Sequence, residues 1–300
     1  MLERIAGNRE LKQDLKTALG SGRIAHSILL VGEPGCGAGF AARCLAADYL
    51  YPNGGPHAEA VLRGQDTESI VVRGEGASGQ IKVEAIRDAR QNIQKSALSS
   101  DAEGRVLFIY GAQNLNGASA NAMLKIMEEP PEGVMFLLTA SSAAAVLPTI
   151  RSRCISFAVA PVSPEECARW CTGQGVDKKQ ARLYSELFDG HIGTVLAAAR
   201  DDARREQVEK ALTLAKAAAA HDSYAAAVLL AGYEKDKAAA AALLGDFRAV
   251  AAAGLRGCAS TPLTADAARR ALSLADAAIQ RLAAQVNPKI TLSVLAAKLG

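Results

Sequence analysis

Five short apolar runs, each bounded by turn residues, set the rhythm of the first half of the chain. Ser27-Ile28-Leu29-Leu30-Val31, Ile70-Val71-Val72, Val106-Leu107-Phe108-Ile109-Tyr110, Val134-Met135-Phe136-Leu137-Leu138-Thr139 and Cys154-Ile155-Ser156-Phe157-Ala158-Val159 read as strands. Near-continuous apolar runs of this length suit a parallel sheet covered on both faces. Segments of helical period lie between them. Residues 1–25 read as a helix with Leu2, Ile5, Leu11 and Leu15 apolar and a break around Gly20-Ser21-Gly22. A second helix ends near Tyr51, and Pro52-Asn53-Gly54-Gly55-Pro56 is a turn cluster before a short helix-like segment. Residues 83–96 place Val83, Ile86 and Ile93 on one face, and residues 118–127 form a helix stopped by Glu128-Glu129-Pro130-Pro131. Strands alternating with helices predict an α/β unit with a parallel sheet, whose ligands bind beyond the carboxyl ends of the strands.

At Pro161 the pattern changes. Ser163-Pro164-Glu165-Glu166 is a strong helix start, with a hydroxyl cap, proline at the first helical position and acids in the first turn. No convincing strand follows. Residues 163–200 form a small helical unit closing at Asp189-Gly190-His191, and residues 203–300 are alanine-rich helices with breaks near Gly232, Gly245 and from Gly254 to Pro262. A last long helix over 265–285 puts Leu272, Ile279, Leu282 and Val286 on one stripe, as a bundle helix would. The alanine-rich surface permits close helix approach within the chain or between chains.

The first strand runs into Gly32-Glu33-Pro34-Gly35-Cys36-Gly37-Ala38-Gly39 and then a helix. That is the layout of a phosphate-cradling loop, G-x-x-x-x-G-K-[ST], in which backbone N–H groups hold phosphates and lysine neutralises them. Gly32 and Gly37 keep the spacing, but Ala38 stands at the lysine and Gly39 at the hydroxyl. The frame of a nucleotide site is present without its chemistry.

Composition narrows the classes. The length of 300 residues allows two or three domains, and 50% hydrophobic residues exclude a disordered chain. Lys+Arg 34 against Asp+Glu 31 excludes coating of nucleic acid by charge alone, so any such contact is local. One Trp, six Tyr and six Phe, not interleaved with basic clusters, argue against a stacking platform for single strands. The six scattered cysteines read as reduced thiols, and Cys167 and Cys171, at i and i+4, lack a second Cys/His pair of ligand spacing; no metal is expected. With no signal-peptide pattern and no apolar run approaching a bilayer's thickness, a soluble cytoplasmic protein is expected.

The order of α/β unit, small helical unit and helical C-terminal unit resembles the clamp-loader group of AAA+ ATPases. Within it, the sequence is similar to the delta-prime subunits of bacterial DNA polymerase III. The resemblance rests on Gly7-Asn8, Arg23-Ile24-Ala25-His26, Gly32-Glu33-Pro34-Gly35-Cys36-Gly37, Asn121-Ala122-Met123-Leu124-Lys125-Ile126-Met127-Glu128-Glu129-Pro130-Pro131 and Ile150-Arg151-Ser152-Arg153-Cys154. It is dense over residues 1–200 and thin beyond, where helix content and Val286-Asn287-Pro288-Lys289-Ile290 carry it. It implies an AAA+ α/β domain over 1–160, a helical lid over 161–202 and an oligomerising collar over 203–300.

The resemblance also assigns roles. In the family, the arginine of Ser-Arg-Cys reaches across a subunit interface to the γ-phosphate held by a neighbour, where a planar cation stabilises the charge of phosphoryl transfer. Arg153, between Ser152 and Cys154, is that residue; read alone it is a solvated arginine before an edge strand, as Arg151 is a surface residue. Active members end the third strand in Asp-Glu-Ala-His, whose acids hold Mg²⁺ and polarise water. This chain has Tyr110-Gly111-Ala112-Gln113. Gly193 stands where active members place a lid arginine, and Ala140, flanked by Thr139 and Ser141, at the sensing polar position after the fourth strand. The four-cysteine zinc module common in relatives is missing between Cys44 and Ile70, leaving His57 as an exposed loop histidine. Lys82, Arg87 and Arg90, on the helix that clamp loaders present to duplex DNA, either contact phosphates or form a solvated basic face.

The expectation is therefore a non-catalytic subunit without a cofactor. It would work beside gamma/tau ATPase subunits and a delta subunit, serving a sliding clamp and primer–template DNA through the complex. An active gamma/tau-like ATPase and a replication-unrelated scaffold are the alternatives.

Overall fold

The computed structural model describes residues 1–20, 26–76, 79–94 and 99–300. It divides into two compact units, Met1–Val162 and Ser163–Gly300. Parts of three expectations lie outside the described residues: the break at Ser21-Gly22, the Arg23-Ile24-Ala25 stretch, and the end of the helix expected to reach Ser96.

The first unit is a parallel sheet of five strands, β1 (Ser27–Val31), β2 (Ser69–Arg73), β3 (Arg105–Tyr110), β4 (Val134–Ala140) and β5 (Ile155–Ala158), in the order β2-β3-β4-β1-β5. All seven residues of β4, at the centre, are buried, so no polar alternation marks it in the sequence. Among the described residues, six α-helices accompany the sheet: α1 (Arg9–Gly20), α2 (Ala38–Leu50), α3 (Pro56–Arg63), α4 (Val83–Ile93), α5 (Gly117–Glu128) and α6 (Pro148–Arg151). Ile28, Leu30, Val106, Phe108, Met135 and Leu137 pack against α1, α2 and α3. The alternate residues Leu29, Leu107, Ile109, Phe136 and Leu138 face α4 and α5 on the other side. Strand pleat thus distributes one continuous apolar run between two cores.

Three expectations for this unit change. The first 25 residues do not form one helix: a 3₁₀ turn (Leu2–Arg4) precedes α1, and Gly7 and Asn8 between them have positive φ. Asn8 uses this break, its amide donating to the Ala160 carbonyl at 3.0 Å and its oxygen accepting from the Ala160 N–H at 3.0 Å. His57 lies in the first turn of α3 rather than in a loop, stacked on Tyr51 at 5.5 Å. Val83 is only half-buried; Ile86, Ala89 and Ile93 form the inner stripe of α4.

The second unit contains α7 (Pro164–Gly173), α8 (Lys178–Leu187), α9 (Ile192–Arg200), α10 (Asp202–Ala219), α11 (Ser223–Ala231), α12 (Lys237–Leu255), α13 (Ala265–Ala283) and α14 (Pro288–Leu299). Polar side chains cap seven of these eight starts: Ser163, Asp177, Asp201, Asp222, Asp236, Thr264 and Asn287. Each satisfies N–H groups that have no intrahelical partner.

Here too the sequence pattern misleads in places. The expected break at Gly245 is absent, because α12 runs through it with Leu243, Leu244 and Phe247 fully buried on either side. Burial of those neighbours outweighs the roughly 1 kcal/mol that glycine costs in a helix. Gly245 is exposed, and a Cβ there would meet nothing within 4 Å. Gly245→Ala is accordingly expected to stabilise the protein by about 0.5–1 kcal/mol in urea unfolding.

The stripe of α13 is also displaced. Ala268, Ala271, Ala275, Ala278 and Leu282 are buried, whereas Leu272 and Ile279 are half-buried and Val286 is exposed. Small side chains face inward because α12 comes close: a Cβ on Gly254 would lie 2.9 Å from that of Ala268. Finally, α12 is long and apolar enough to span a bilayer by length and composition, contrary to expectation, but half of it is buried inside the helical unit. Its Asp246 is held by both terminal guanidinium nitrogens of Arg204 and by Gln207 at 2.8 Å, which suits a core helix.

Candidate functional site: a glycine-rich loop and a distant arginine

Parallel strands carry the loop after β1 and the end of β3 to the same edge of the sheet, with β4 between them. The loop keeps the backbone of a phosphate cradle: Gly35 and Gly37 have φ of 91° and 105°, conformations that favour glycine. Two backbone hydrogen bonds brace it. The Gly32 N–H donates to the Ala140 carbonyl at 2.9 Å and the Cys36 N–H to the Glu33 carbonyl at 3.0 Å. A Cβ on Gly32 would lie 2.4 Å from the Cys36 sulfur and 2.5 Å from the Val159 carbonyl oxygen. Ala140 is the last residue of β4 rather than a residue beyond it, and Thr139 accepts the Gly111 N–H through its carbonyl at 3.1 Å and its hydroxyl at 3.2 Å.

Tyr110 occupies the other side. Its Cε1 lies 3.3 Å from where a Cβ on Gly39 would be, so the ring packs against the residue that stands at the motif's hydroxyl position. Burial pushes the Tyr110 phenol up, with the nearby Arg43 and Arg73 acting in the opposite direction. At neutral pH the phenol is protonated and offers no anionic metal ligand. Gly111 beside it turns the chain with φ 80°. The ring over the loop was not foreseen from sequence, where the missing acids were legible but not what fills their place. Gly193 is exposed in the first turn of α9, in the second unit.

Ser152-Arg153-Cys154 lies between α6 and β5. The Arg153 guanidinium contacts the Glu128 carboxylate at 2.6 Å and donates to the Thr149 carbonyl at 3.2 Å; it is 40% exposed. Ser152 donates to the same carbonyl at 3.1 Å. Cys154 packs against the α4/α5 core, and burial pushes its thiol up to about 12, which makes it a packing group. Glu128, from the Glu-Glu-Pro-Pro end of α5, was not singled out as a partner of Arg153, although both belong to the motifs that carry the resemblance. Arg151 is exposed and donates to Ala143.

Register fixes the spacing between arginine and loop. Ile155 pairs with Ile28 and Ala158 with Val31, so Arg153 precedes the start of β5 while Gly32 follows the end of β1. At about 3.3 Å per residue the two are roughly 15–20 Å apart along the strands. Arg153 cannot reach a phosphate on its own chain's loop.

Lys82, Arg87 and Arg90 are exposed at the start and along the outer face of α4, with Lys82 4.0 Å from Glu75. Cys167 and Cys171 are both buried, and the hydrogen bond between them, together with burial, pushes the Cys171 thiol up. Among the described residues no group of three His, Cys, Asp or Glu side chains is placed to hold a metal ion.

The family described as "DNA polymerase III, delta subunit" matches residues 7–163. Among curated relatives, the chain is 32% identical over 197 residues to DNA polymerase III subunit gamma of Buchnera aphidicola, covering 62% of this chain and 54% of that protein. It is 34% identical over 110 residues to subunit delta′ of Yersinia pestis, covering 37% and 32%, and 26% identical over 199 residues to subunit delta′ of Bacillus subtilis, covering 64% and 59%. It spans only 31% of the length of the gamma/tau subunit of Mycobacterium tuberculosis. A solved structure of a gamma subunit-related protein from Thermotoga maritima shares the fold, with a TM-score of 0.56 at 17% identity over 95% of this chain and 98% of that one. With more than half of its length matched by the family and a parallel five-stranded sheet carrying the motifs, the chain belongs to the clamp-loader family of DNA polymerase III subunits.

Proposed function

We propose that this chain is the non-catalytic, delta-prime-type subunit of a bacterial clamp loader. It holds one place in a ring with gamma/tau ATPase subunits and a delta subunit, in the cytoplasm, and supplies Arg153 to ATP on a neighbour. The complex thereby loads a sliding clamp on primed DNA. The observation that carries this reading is the pairing of a loop that lacks the motif's lysine and hydroxyl with an arginine too far from it to act in cis. An arginine kept in its motif while lysine, hydroxyl and acids are gone has a use only at another subunit's phosphate.

In this reading residues 161–202 are the lid and 203–300 the collar. Tyr224 and Val228 are 79% and 60% exposed on the apolar helix α11, a face suited to neighbouring collar helices. Arg87 and Arg90 on α4 are candidates for sequence-independent contacts with the DNA backbone.

A second reading, an active gamma/tau-like ATPase, draws on the identities to gamma and gamma/tau subunits. Equilibrium dialysis of the isolated chain with ATP and Mg²⁺ separates the two. No saturable binding is expected through the millimolar range; tight binding overturns the non-catalytic reading. Restoring the motif by Ala38→Lys with Gly39→Thr is not expected to restore binding, because any side chain introduced in place of Gly39 would meet the Tyr110 ring.

A further inference from the structure

The Glu-Glu-Pro-Pro end of α5 lies outside the phosphate loop, yet one of its acids holds Arg153. Glu128 is the last residue of α5, at the helix end where the peptide dipole disfavours a negative charge. Lys125 stands one turn earlier on the same helix, but the carboxylate contacts the Arg153 guanidinium, 25 residues further along the chain, at 2.6 Å. Local rules broken in this way are expected where a residue serves function before stability. Both terminal nitrogens of the guanidinium are engaged: Nη2 with Glu128, and Nη1 with the Thr149 carbonyl, which also accepts from the Ser152 hydroxyl. These are nitrogens with which an arginine forks onto a phosphate. Arg153 thus stands at the surface with its fork already occupied.

We propose that Glu128 is a latch on Arg153: it holds the guanidinium in cis while no phosphate is presented, and gives it up to the γ-phosphate of ATP on a neighbour. The latch presupposes the trans role of Arg153. A contact made before the transition state and broken in it raises the barrier by its own worth. Glu128 also places a negative charge beside an anionic phosphate. Both effects have the same sign, so removing the carboxylate speeds the trans reaction. A pair as exposed as this one, 40% and 50%, sets the scale at roughly two- to fivefold. Once the γ-phosphate leaves, Glu128 recaptures the guanidinium, and the engaged state lasts only while ATP is there.

Single-turnover ATP hydrolysis, in a clamp loader reconstituted with ATPase subunits and primed DNA, tests the latch without product release hiding the chemical step. Glu128→Ala is expected to raise the rate roughly two- to fivefold. Glu128→Gln should raise it less, because a neutral amide still accepts a hydrogen bond from the guanidinium. Glu129→Ala, which removes the exposed neighbouring acid that Arg153 does not contact, should leave the rate unchanged. In an Arg153→Ala background the Glu128 substitution should have no effect. The latch is overturned if Glu128→Ala slows hydrolysis, if Glu129→Ala gives an equal rise, or if the rise persists without Arg153. It is also overturned if Glu128→Ala changes nothing while Arg153→Ala slows hydrolysis. If Arg153→Ala alone leaves the rate unchanged, the trans role itself fails, and the latch with it.

Discussion

Arg153→Ala, in a clamp loader reconstituted with ATPase subunits, is expected to lower DNA-stimulated ATP turnover at the site it is proposed to serve by roughly 10³-fold or more, the scale on which arginine fingers act. The cause is the charge that builds on the γ-phosphate oxygens as the bond to the leaving group lengthens; a planar cation donating two N–H groups stabilises it. Arg153→Lys recovers little, because an ammonium keeps the charge and loses the fork. Binding of the subunits to one another stays intact, since Arg153 is exposed and its own contacts are local, to Glu128 and Thr149. Unchanged turnover with an assembled ring would remove the trans role.

The proposed trans role requires Arg153 to leave Glu128 before it meets a phosphate. Both groups are 40–50% exposed, and an ion pair of that exposure contributes at most about 1 kcal/mol. A contribution of 10³ in rate corresponds to about 4 kcal/mol, so in the proposed trans role the local pair would yield to a neighbour's γ-phosphate. The pair orients the side chain in the free subunit without trapping it.

How far these features were legible follows from what each leaves in the sequence. The five strands were, because an apolar run between turn residues is a local signal, and the two cores on alternate faces of β4 follow from its pleat. The capped helix start at Ser163 was equally local. Gly245 and the α13 stripe were not, because both depend on what packs alongside: glycine inside α12 is carried by Leu243, Leu244 and Phe247, and α13 turns alanines inward because Gly254 lets α12 approach. At the site, the residues missing from the loop could be read position by position. That Tyr110 covers Gly39, or that Asp66 shares a cavity with Arg43, could not, since each pair is brought together only by the order β2-β3-β4-β1-β5.

The same dependence on tertiary context makes Glu68 a residue whose loss should cost the α/β unit heavily. Glu68 is fully buried just before the edge strand β2, its carboxylate 3.4 Å from Arg105 Nε and accepting the Ser99 N–H at 2.8 Å and the Thr67 hydroxyl at 3.3 Å. Its backbone carbonyl accepts the Val106 N–H at 3.1 Å, so the side chain sits where β2 joins β3. Arg105 is only 8% exposed and donates onward to the Asn92 carbonyl. Glu68→Ala takes the anion away from a guanidinium that water scarcely reaches and leaves the Ser99 N–H without its acceptor. Breaking a buried pair in this way costs about 3–5 kcal/mol, a large share of a domain's whole stability. The loss is read from urea unfolding followed by circular dichroism, and from faster hydrogen exchange at the β2 and β3 amides. Replacing both partners with apolar residues, Glu68→Leu with Arg105→Met, should cost less than Glu68→Ala alone, because no uncompensated charge remains. A single-variant loss below about 1 kcal/mol would mean that water reaches Arg105 after all and that the pair behaves as a surface contact.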